Sequence, residues 1–176
     1  MWLLYQKRMA VARMRRLHRF EQSMPKDSFP MPKIDQLVDA SATAQRLSFL
    51  DAYSGYHQIP MHQPDQEATS FRGLSSNYCY KVMPFGLKIA GATYQRAITW
   101  ICAPHLGKTM GVYIDDIVVM SRQNGDHISN LKAVFDTLRK YDLKLNASKC
   151  AFGVGAGKFL GFIVRHWGIE ANPSQI

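Results

Sequence analysis

Two adjacent carboxylates, Asp115 and Asp116, interrupt an apolar stretch and limit how this chain can fold more than any other feature. β-prone residues precede them (111–114) and follow them (117–120). This arrangement predicts a tight hairpin with both acids at its tip. Adjacent carboxylates repel each other and lose hydration unless positive charge lies nearby, which favours a divalent cation. An ordinary polar turn has the same composition, because Asp tolerates turn geometry.

A third carboxylate, Asp51, ends another short apolar strand at 47–50. If this strand and the hairpin are neighbours in one sheet, the three acids meet at one edge. Such a group suits two magnesium ions that hold the attacking and leaving oxygens of a phosphoryl transfer. A single Asp at a strand end is usually only a strand end, so the interpretation depends on all three acids.

Size and charge bound the class of protein. At 176 residues and 47% apolar composition, the chain forms one core and one domain, or a large part of one. Residues 1–24 hold six basic residues and one acid, which is +5 of the net +9, so charge is weak support for a nucleic-acid surface. No apolar run approaches the roughly 20 residues of a membrane span, and we expect no membrane partner. Three cysteines without metal-type spacing indicate reduced thiols in an intracellular protein.

Local patterns predict an α+β fold in which an antiparallel sheet is backed by two or three helices. The predicted helices are 33–40, 88–103 and 126–141; the predicted strands are 46–51, 67–71, 78–82, 143–146 and 158–165, besides the hairpin at 111–120. The third helix has one apolar face, formed by Ile128, Leu131, Val134, Phe135 and Leu138.

Five blocks in the same order resemble the reverse transcriptase of gypsy-type LTR retrotransposons. They are residues 50–59, 82–88, 113–116 (Tyr-Ile-Asp-Asp), 144–153 and 159–164. The four-residue block is weak alone, but the five together are specific, and the resemblance covers about residues 25–176. It implies a polymerase palm with an antiparallel sheet backed by helices, incomplete fingers and an essentially absent thumb.

The resemblance implies catalytic and metal-binding roles for three acids. Asp51 resembles the first metal ligand, and Asp115 and Asp116 resemble the acidic pair of the polymerase hairpin. The implied cofactor is magnesium, two ions, with manganese as an alternative.

Four further residues resemble substrate-binding positions of the family. Tyr56 matches the aromatic residue that excludes a ribose 2′-hydroxyl by its bulk. Phe85 and Gly86 match the loop along the incoming nucleotide and template, and Lys149 matches a lysine near the nucleotide phosphates. Without the family, a packed loop tyrosine is as good an interpretation of Tyr56, and a solvated surface lysine is the better interpretation of Lys149.

The implied activity is RNA-directed DNA polymerisation: two-metal nucleotidyl transfer from a deoxynucleoside triphosphate to a primer 3′-hydroxyl, on an RNA or DNA template. The oligomeric state stays open. We expect a degenerate copy, because Ile89 replaces a usual Asn, the family's basic fingers segment is missing in frame, and the sequence ends where the thumb begins. The alternatives are a non-catalytic retroelement remnant and a nucleic-acid-binding scaffold without metal chemistry.

Residues 1–24 match no family block in frame. Codons for 13–24 can be chosen so that a shifted frame spells a fingers-like string, GCVDFTDLNKAC, and codons for 4–10 so that another spells VPKANG. We therefore predict two regions: residues 1–24 as a poorly ordered, frame-shifted remnant of the fingers, and residues 25–176 as the palm with part of the fingers.

Overall fold

The computed structural model describes residues 27–73 and 76–171, which fall into two compact units. One unit contains residues 27–28 and Tyr56–Tyr94, and the other contains Phe29–Gly55 and the described part of Gln95–Ile176. The prediction of poor order over 1–24 falls outside the described residues. In the described part, every helix is too short or too polar to cross a membrane.

The described residues form four α-helices and nine strands. In chain order these are α1 (Ile34–Ala42), β1 (Arg46–Asp51), α2 (Gln63–Ala68), β2 (Phe71–Arg72), β3 (Asn77–Tyr78), α3 (Ala90–Cys102), β4 (Met110–Tyr113), β5 (Asp116–Ser121), α4 (His127–Lys140), β6 (Ala151–Val154), β7 (Ala156–Phe159), β8 (Phe162–Arg165) and β9 (Gly168–Ala171). Short 3₁₀ turns lie at Gly55–Gln58, Asn124–Asp126 and Ala147–Lys149.

The central sheet of the second unit has the strand order β4-β5-β1-β6, and every neighbouring pair is antiparallel. A second sheet of this unit has the order β7-β8-β9. The first unit holds only the short β2-β3 pair among its described residues. The α+β prediction is confirmed, as is the expectation that β1 lies beside the hairpin.

Four consecutive residues of β1 are buried, which indicates that both faces of this strand are covered. Leu47 and Phe49 join the main apolar cluster with Val38 of α1, whereas Ser48 points the other way and contacts α4. Gly157 of β7 lies so close to Phe49 that a Cβ there would collide with its ring. This packing holds β1, and therefore its terminal carboxylate, in a rigid setting.

The predicted strand at 67–71 is wrong for most of its length. Residues Gln63–Ala68 form α2 instead, and only Phe71–Arg72 is extended. Pro64 lies in the first turn, where a backbone N–H would have no hydrogen-bond partner within the helix, so its absence costs nothing. The negative charge of Asp65 interacts favourably with the positive end of the helix dipole. Correspondingly, the partner strand is Asn77–Tyr78 rather than 78–82.

Three other local predictions also need correction. Residues 143–146 contribute a single bridge from Leu145 to Ala52, and the strand of this region is β6. Residues 158–165 are not one strand, because Leu160 and Gly161 turn the chain with φ of 49° and 88°. Ile128 is 81% exposed, so the apolar face of α4 buries Val134 and Leu138 without it.

Candidate active site

Asp51 and Asp116 are opposite partners across two strands of the central sheet. β1 and β5 pair in antiparallel register from Arg46 opposite Ser121 to Asp51 opposite Asp116. Side chains of directly opposed residues point to the same face, with Cβ atoms about 4.5–5.5 Å apart. The strand register therefore brings together two of the three predicted carboxylates.

Asp115 occupies the two-residue turn between β4 and β5, next to Ile114. Tyr113 pairs with Asp116, so Asp116 begins a strand, and only Asp115 lies in the turn, which corrects the prediction that both acids form the tip. The backbone carbonyl of Asp115 accepts a hydrogen bond of 3.0 Å from the N–H of Ala52. This bond ties the turn to the residue after Asp51.

Lys149 provides positive charge beside the carboxylate pair. Its Nζ lies 3.5 Å from Oδ2 of Asp51, and 65% of the lysine side chain is exposed. The N–H of Asn146 donates to the backbone carbonyl of Asp51 at 2.8 Å, which holds the 3₁₀ turn at Ala147–Lys149 next to β1. Solvent screens such a pair, so it adds little stability but does supply a local counter-charge.

The environment of Asp116 disfavours its ionised form. Desolvation by burial is the largest cause that raises the pKa of Asp116; the negative charge of Asp51 raises it further, while Lys149 lowers it. A carboxyl whose pKa is raised by a neighbouring carboxylate is common at functional sites. The pair thus has the electrostatic character expected of a cation-binding site.

The donor chemistry fits magnesium only in part. Across 27–73 and 76–171, no three His, Cys, Asp or Glu side chains are grouped so that they could hold a metal ion. The structure therefore does not gather Asp115 with Asp51 and Asp116 into one three-ligand group. Magnesium usually keeps waters and binds through one or two carboxylates plus substrate phosphates. The facing pair of Asp51 and Asp116 meets that requirement.

A buried glutamine of α3 holds the hairpin that carries the acids. Gln95 is 1% exposed, and its Oε1 accepts a hydrogen bond of 2.6 Å from the N–H of Ile114. Its Nε2 donates to the carbonyl of Val112 at 3.3 Å and to Oγ1 of Thr99 at 3.2 Å. Both polar ends of the amide are therefore occupied, mainly by the hairpin backbone.

The sequence interpretation missed Gln95, although a signal was present. Ile98 and Cys102 follow it by three and seven residues, so the helical period places all three on one face. Both of those residues are buried, at 1% and 0% exposure. An amide on such an apolar face needs hydrogen-bond partners, and here the hairpin supplies them.

The remaining predicted residues, Tyr56, Phe85 and Gly86, belong to the first unit. The Tyr56 ring lies 5.1 Å from the ring of Phe85 and 5.5 Å from that of Tyr94, measured between centroids. Phe85 is 53% exposed, and Gly86 has a φ of 97°, which favours glycine. The first unit thus gathers these three residues into one aromatic loop cluster.

Comparison with known proteins identifies the family. Residues 5–164 match the family model described as "Reverse transcriptase (RNA-dependent DNA polymerase)". Among curated proteins, the Pol polyprotein of the Drosophila melanogaster transposon opus is 39% identical over 150 residues, and that of transposon gypsy is 32% identical over 156 residues. These alignments cover 85% and 89% of this chain but only 15% of each relative.

Solved structures agree on the fold. The foamy viral protease-reverse transcriptase in complex with an RNA/DNA hybrid matches with a TM-score of 0.79 and 19% identity, over 88% of this chain and 21% of that one. The dRH form in complex with double-stranded DNA matches with a TM-score of 0.82 and 18% identity, over 90% of this chain and 28% of that one. The predicted palm architecture is confirmed, and this chain belongs to the reverse transcriptase family of RNA-dependent DNA polymerases.

Proposed function

We propose that this chain carries the nucleotidyl-transfer site of an RNA-directed DNA polymerase. It would extend a primer 3′-hydroxyl with deoxynucleoside triphosphates on an RNA or DNA template. The observation that carries this proposal is the pairing of Asp51 with Asp116 at the ends of the two inner strands of the central sheet, with Lys149 beside them. The relatives are Pol polyproteins of transposons, and two similar solved structures are nucleic-acid complexes, which supports the same substrate class.

The three acids would supply negative charge where the triphosphate and the primer end meet. The facing pair of Asp51 and Asp116 would hold magnesium, with manganese as an alternative, and Asp115 in the adjoining turn would complete the site for a second ion. Bound cations would neutralise phosphate charge and acidify the primer hydroxyl. The hydrogen bond between Ala52 and the Asp115 carbonyl keeps the two acidic segments in register. The primer 3′-oxygen would give up its proton to solvent and form a bond to the α-phosphorus, while the bond between the α- and β-phosphates breaks and pyrophosphate leaves.

The other proposed roles concern binding and orientation. Lys149 would turn from Asp51 toward the phosphates, since an exposed, flexible ammonium can serve either partner. The ring of Tyr56, packed on Phe85 and Tyr94, would exclude a ribose 2′-hydroxyl. Gly86, without a Cβ, would let the backbone approach the nucleotide and template closely.

Primer extension tests the proposal directly. The native chain should add labelled dTTP to an oligo(dT) primer on a poly(rA) template in the presence of magnesium. Asp116→Asn should reduce the rate by at least about 10²-fold, the loss typical of a residue that stabilises transition-state charge. The matched control is Asp136→Asn on α4, where the side chain is 59% exposed and pairs with Arg139 one turn along the helix. Equal rates in the two variants would reject the proposal.

The sugar-selection role has its own assay. Tyr56→Ala should raise the incorporation of ribonucleotides relative to deoxynucleotides, because the excluded volume is lost. Tyr53→Ala is the control, since Tyr53 is 58% exposed and lies three residues away. The ratio is internal to each variant and does not depend on its specific activity. An unchanged ratio in Tyr56→Ala would remove this role and leave the rest of the proposal intact.

A second candidate is a degenerate copy that binds divalent cations without polymerising. It is favoured by the lack of a three-ligand group in the described part of the chain. Absence of extension together with cation binding that weakens in Asp51→Asn would support this candidate. Nucleic-acid binding that is indifferent to magnesium would instead favour the scaffold alternative.

A further inference from the structure

β4, which leads into the acidic turn, is the edge strand of the central sheet. Among the described residues, the strand order β4-β5-β1-β6 gives β4 a neighbouring strand on one side only. Alternate residues of a strand direct their N–H and C=O groups to the same side, so Val112 and Ile114 share this outer edge. An edge of this kind needs partners for its backbone groups.

Gln95 supplies those partners with one side chain. It accepts from the N–H of Ile114 at 2.6 Å and donates to the C=O of Val112 at 3.3 Å, as a residue of an adjoining strand would. The backbone partners also fix the orientation of the amide, because an N–H requires the oxygen and a C=O requires the nitrogen. The side chain is 1% exposed, so water does not compete for these bonds.

The held turn has an unusual backbone. Ile114 has a φ of 50°, in the left-handed region that β-branched residues rarely adopt. Such a conformation persists only when surrounding contacts over-determine it. The N–H held by Gln95 belongs to this same residue, which directly precedes Asp115. The glutamine is therefore positioned to maintain a strained turn that sets the locations of two acids.

We propose that Gln95 is a positioning residue for the acidic hairpin: by pinning Val112 and Ile114 it fixes where Asp115 and Asp116 stand. The inference rests on the proposed function for its catalytic consequence, but its structural part stands independently. Gln95 does not touch the carboxylates in this scheme. It acts through two backbone hydrogen bonds.

The test compares Gln95→Met with Thr99→Val. Methionine keeps the length and apolar packing of the side chain but removes both hairpin bonds. Thr99→Val removes the third partner of the same amide and leaves the hairpin bonds in place. Hydrogen exchange read by mass spectrometry should show exchange at least about 10-fold faster over 110–121 in Gln95→Met, with 46–51 unchanged. Thr99→Val should match the native chain.

Cation binding gives a readout independent of polymerisation. Mn²⁺ titration of the protein alone, followed by electron paramagnetic resonance, should show a several-fold larger Kd for Gln95→Met and an unchanged Kd for Thr99→Val. In primer extension, kcat should fall about 10–100-fold, as for other residues that orient ligand side chains, with the KM for dTTP within twofold. Native hairpin exchange and native Mn²⁺ affinity in a folded Gln95→Met would overturn the inference.

A second variant covers loss of folding. Gln95→Glu keeps an acceptor for the Ile114 N–H but cannot donate to Val112, so hairpin exchange should be intermediate. If both Gln95 variants unfold, the amide is a requirement of the fold, and the positioning role is rejected. If the native chain does not polymerise, the proposed function fails, whereas exchange and Mn²⁺ binding still decide the role of Gln95.

Discussion

Asp51, the last residue of β1, faces Asp116, the first residue of β5, across a direct antiparallel pairing. Two like charges in this position disfavour the folded state, and Lys149 offsets them only in part. We interpret this local cost as a sign that the pair is retained for cation binding rather than for stability.

Replacement of one acid should therefore stabilise the protein. Because the pKa of Asp116 in the folded protein lies above the ordinary value of 3.8, ionisation at neutral pH costs folding free energy. Asp116→Asn should raise the free energy of unfolding at pH 7 by a few tenths of a kcal/mol. This lies at the low end of the interaction energies of cross-strand pairs, because Asp116 is exposed to solvent. The gain should disappear as the pH falls through the folded-state pKa. Thermal melts at several pH values measure it, and a destabilised variant at pH 7 would contradict it.

Removal of the lysine should strengthen cation binding by the free protein. Lys149 Nζ lies 3.5 Å from Asp51 Oδ2 and occupies the positive side of the carboxylate pair. Lys149→Met should lower the Kd for Mn²⁺ by up to about 5-fold, the equivalent of about 1 kcal/mol for an exposed ion pair. Lys132→Met, an exposed change on α4, is the control. Weaker binding in Lys149→Met would show that the ammonium does not compete with cations.

The stability of the second unit should depend on pH through His127. Its Nε2 and Nδ1 lie 2.7 Å and 2.9 Å from the hydroxyls of Ser48 and Ser121. Burial first, and then the charge of Arg46, lower the pKa of His127 below the ordinary histidine value of 6.5. The unfolded chain therefore takes up a proton that the folded chain does not, so stability is complete above about pH 6.5 and decreases below it.

Denaturant unfolding between pH 5 and 8 measures this dependence. His127→Gln should flatten the profile while lowering stability overall, since two buried hydroxyls lose a partner. His166→Gln, an exposed change in the same unit, is the control. Identical pH profiles for the native chain and His127→Gln would refute the assignment.

The three cysteines should react at very different rates. Burial raises the pKa of Cys102 to about 12, so its thiolate is scarce at neutral pH, whereas Cys79 is exposed. Cys150 is intermediate, and its thiol donates to the Asn146 carbonyl at 3.2 Å. A maleimide reagent with mass detection should label Cys79 first and Cys102 last, at the rate of unfolding. Early labelling of Cys102 would show that α3 is not packed as described.

The frame-shift hypothesis for residues 1–24 predicts the nucleotide sequence. Codons 13–24 should read as a fingers-like string in a shifted frame, and codons 4–10 should do so in another. The match to the family model begins at residue 5, which instead favours in-frame similarity in this stretch. Sequencing of this stretch decides between them, because codons that forbid the shifted readings leave the hypothesis without support.

The local sequence was sufficient for the elements that carry the acids. β1 is a short β-prone segment that ends in an acid, and the hairpin consists of two such segments on either side of the acids. Once β1 and the hairpin are placed in one sheet, they can be predicted to be neighbours. The local sequence was insufficient for residues whose role depends on a contact with a distant segment of the chain. Gln95 meets Ile114 from a helix 19 residues earlier, and Lys149 meets Asp51 from a turn nearly a hundred residues later. Such pairings follow from tertiary packing, which local periodicity does not contain.

The bond from the Ala52 amide to the Asp115 carbonyl involves no side chain at either end. Substitutions at Ala52 can therefore leave the junction of the two acidic segments intact, provided that the new side chain fits this buried position. Proline is the exception, because it has no amide hydrogen. In a lineage of copies that accumulates substitutions, this junction would outlast contacts that depend on a particular side chain.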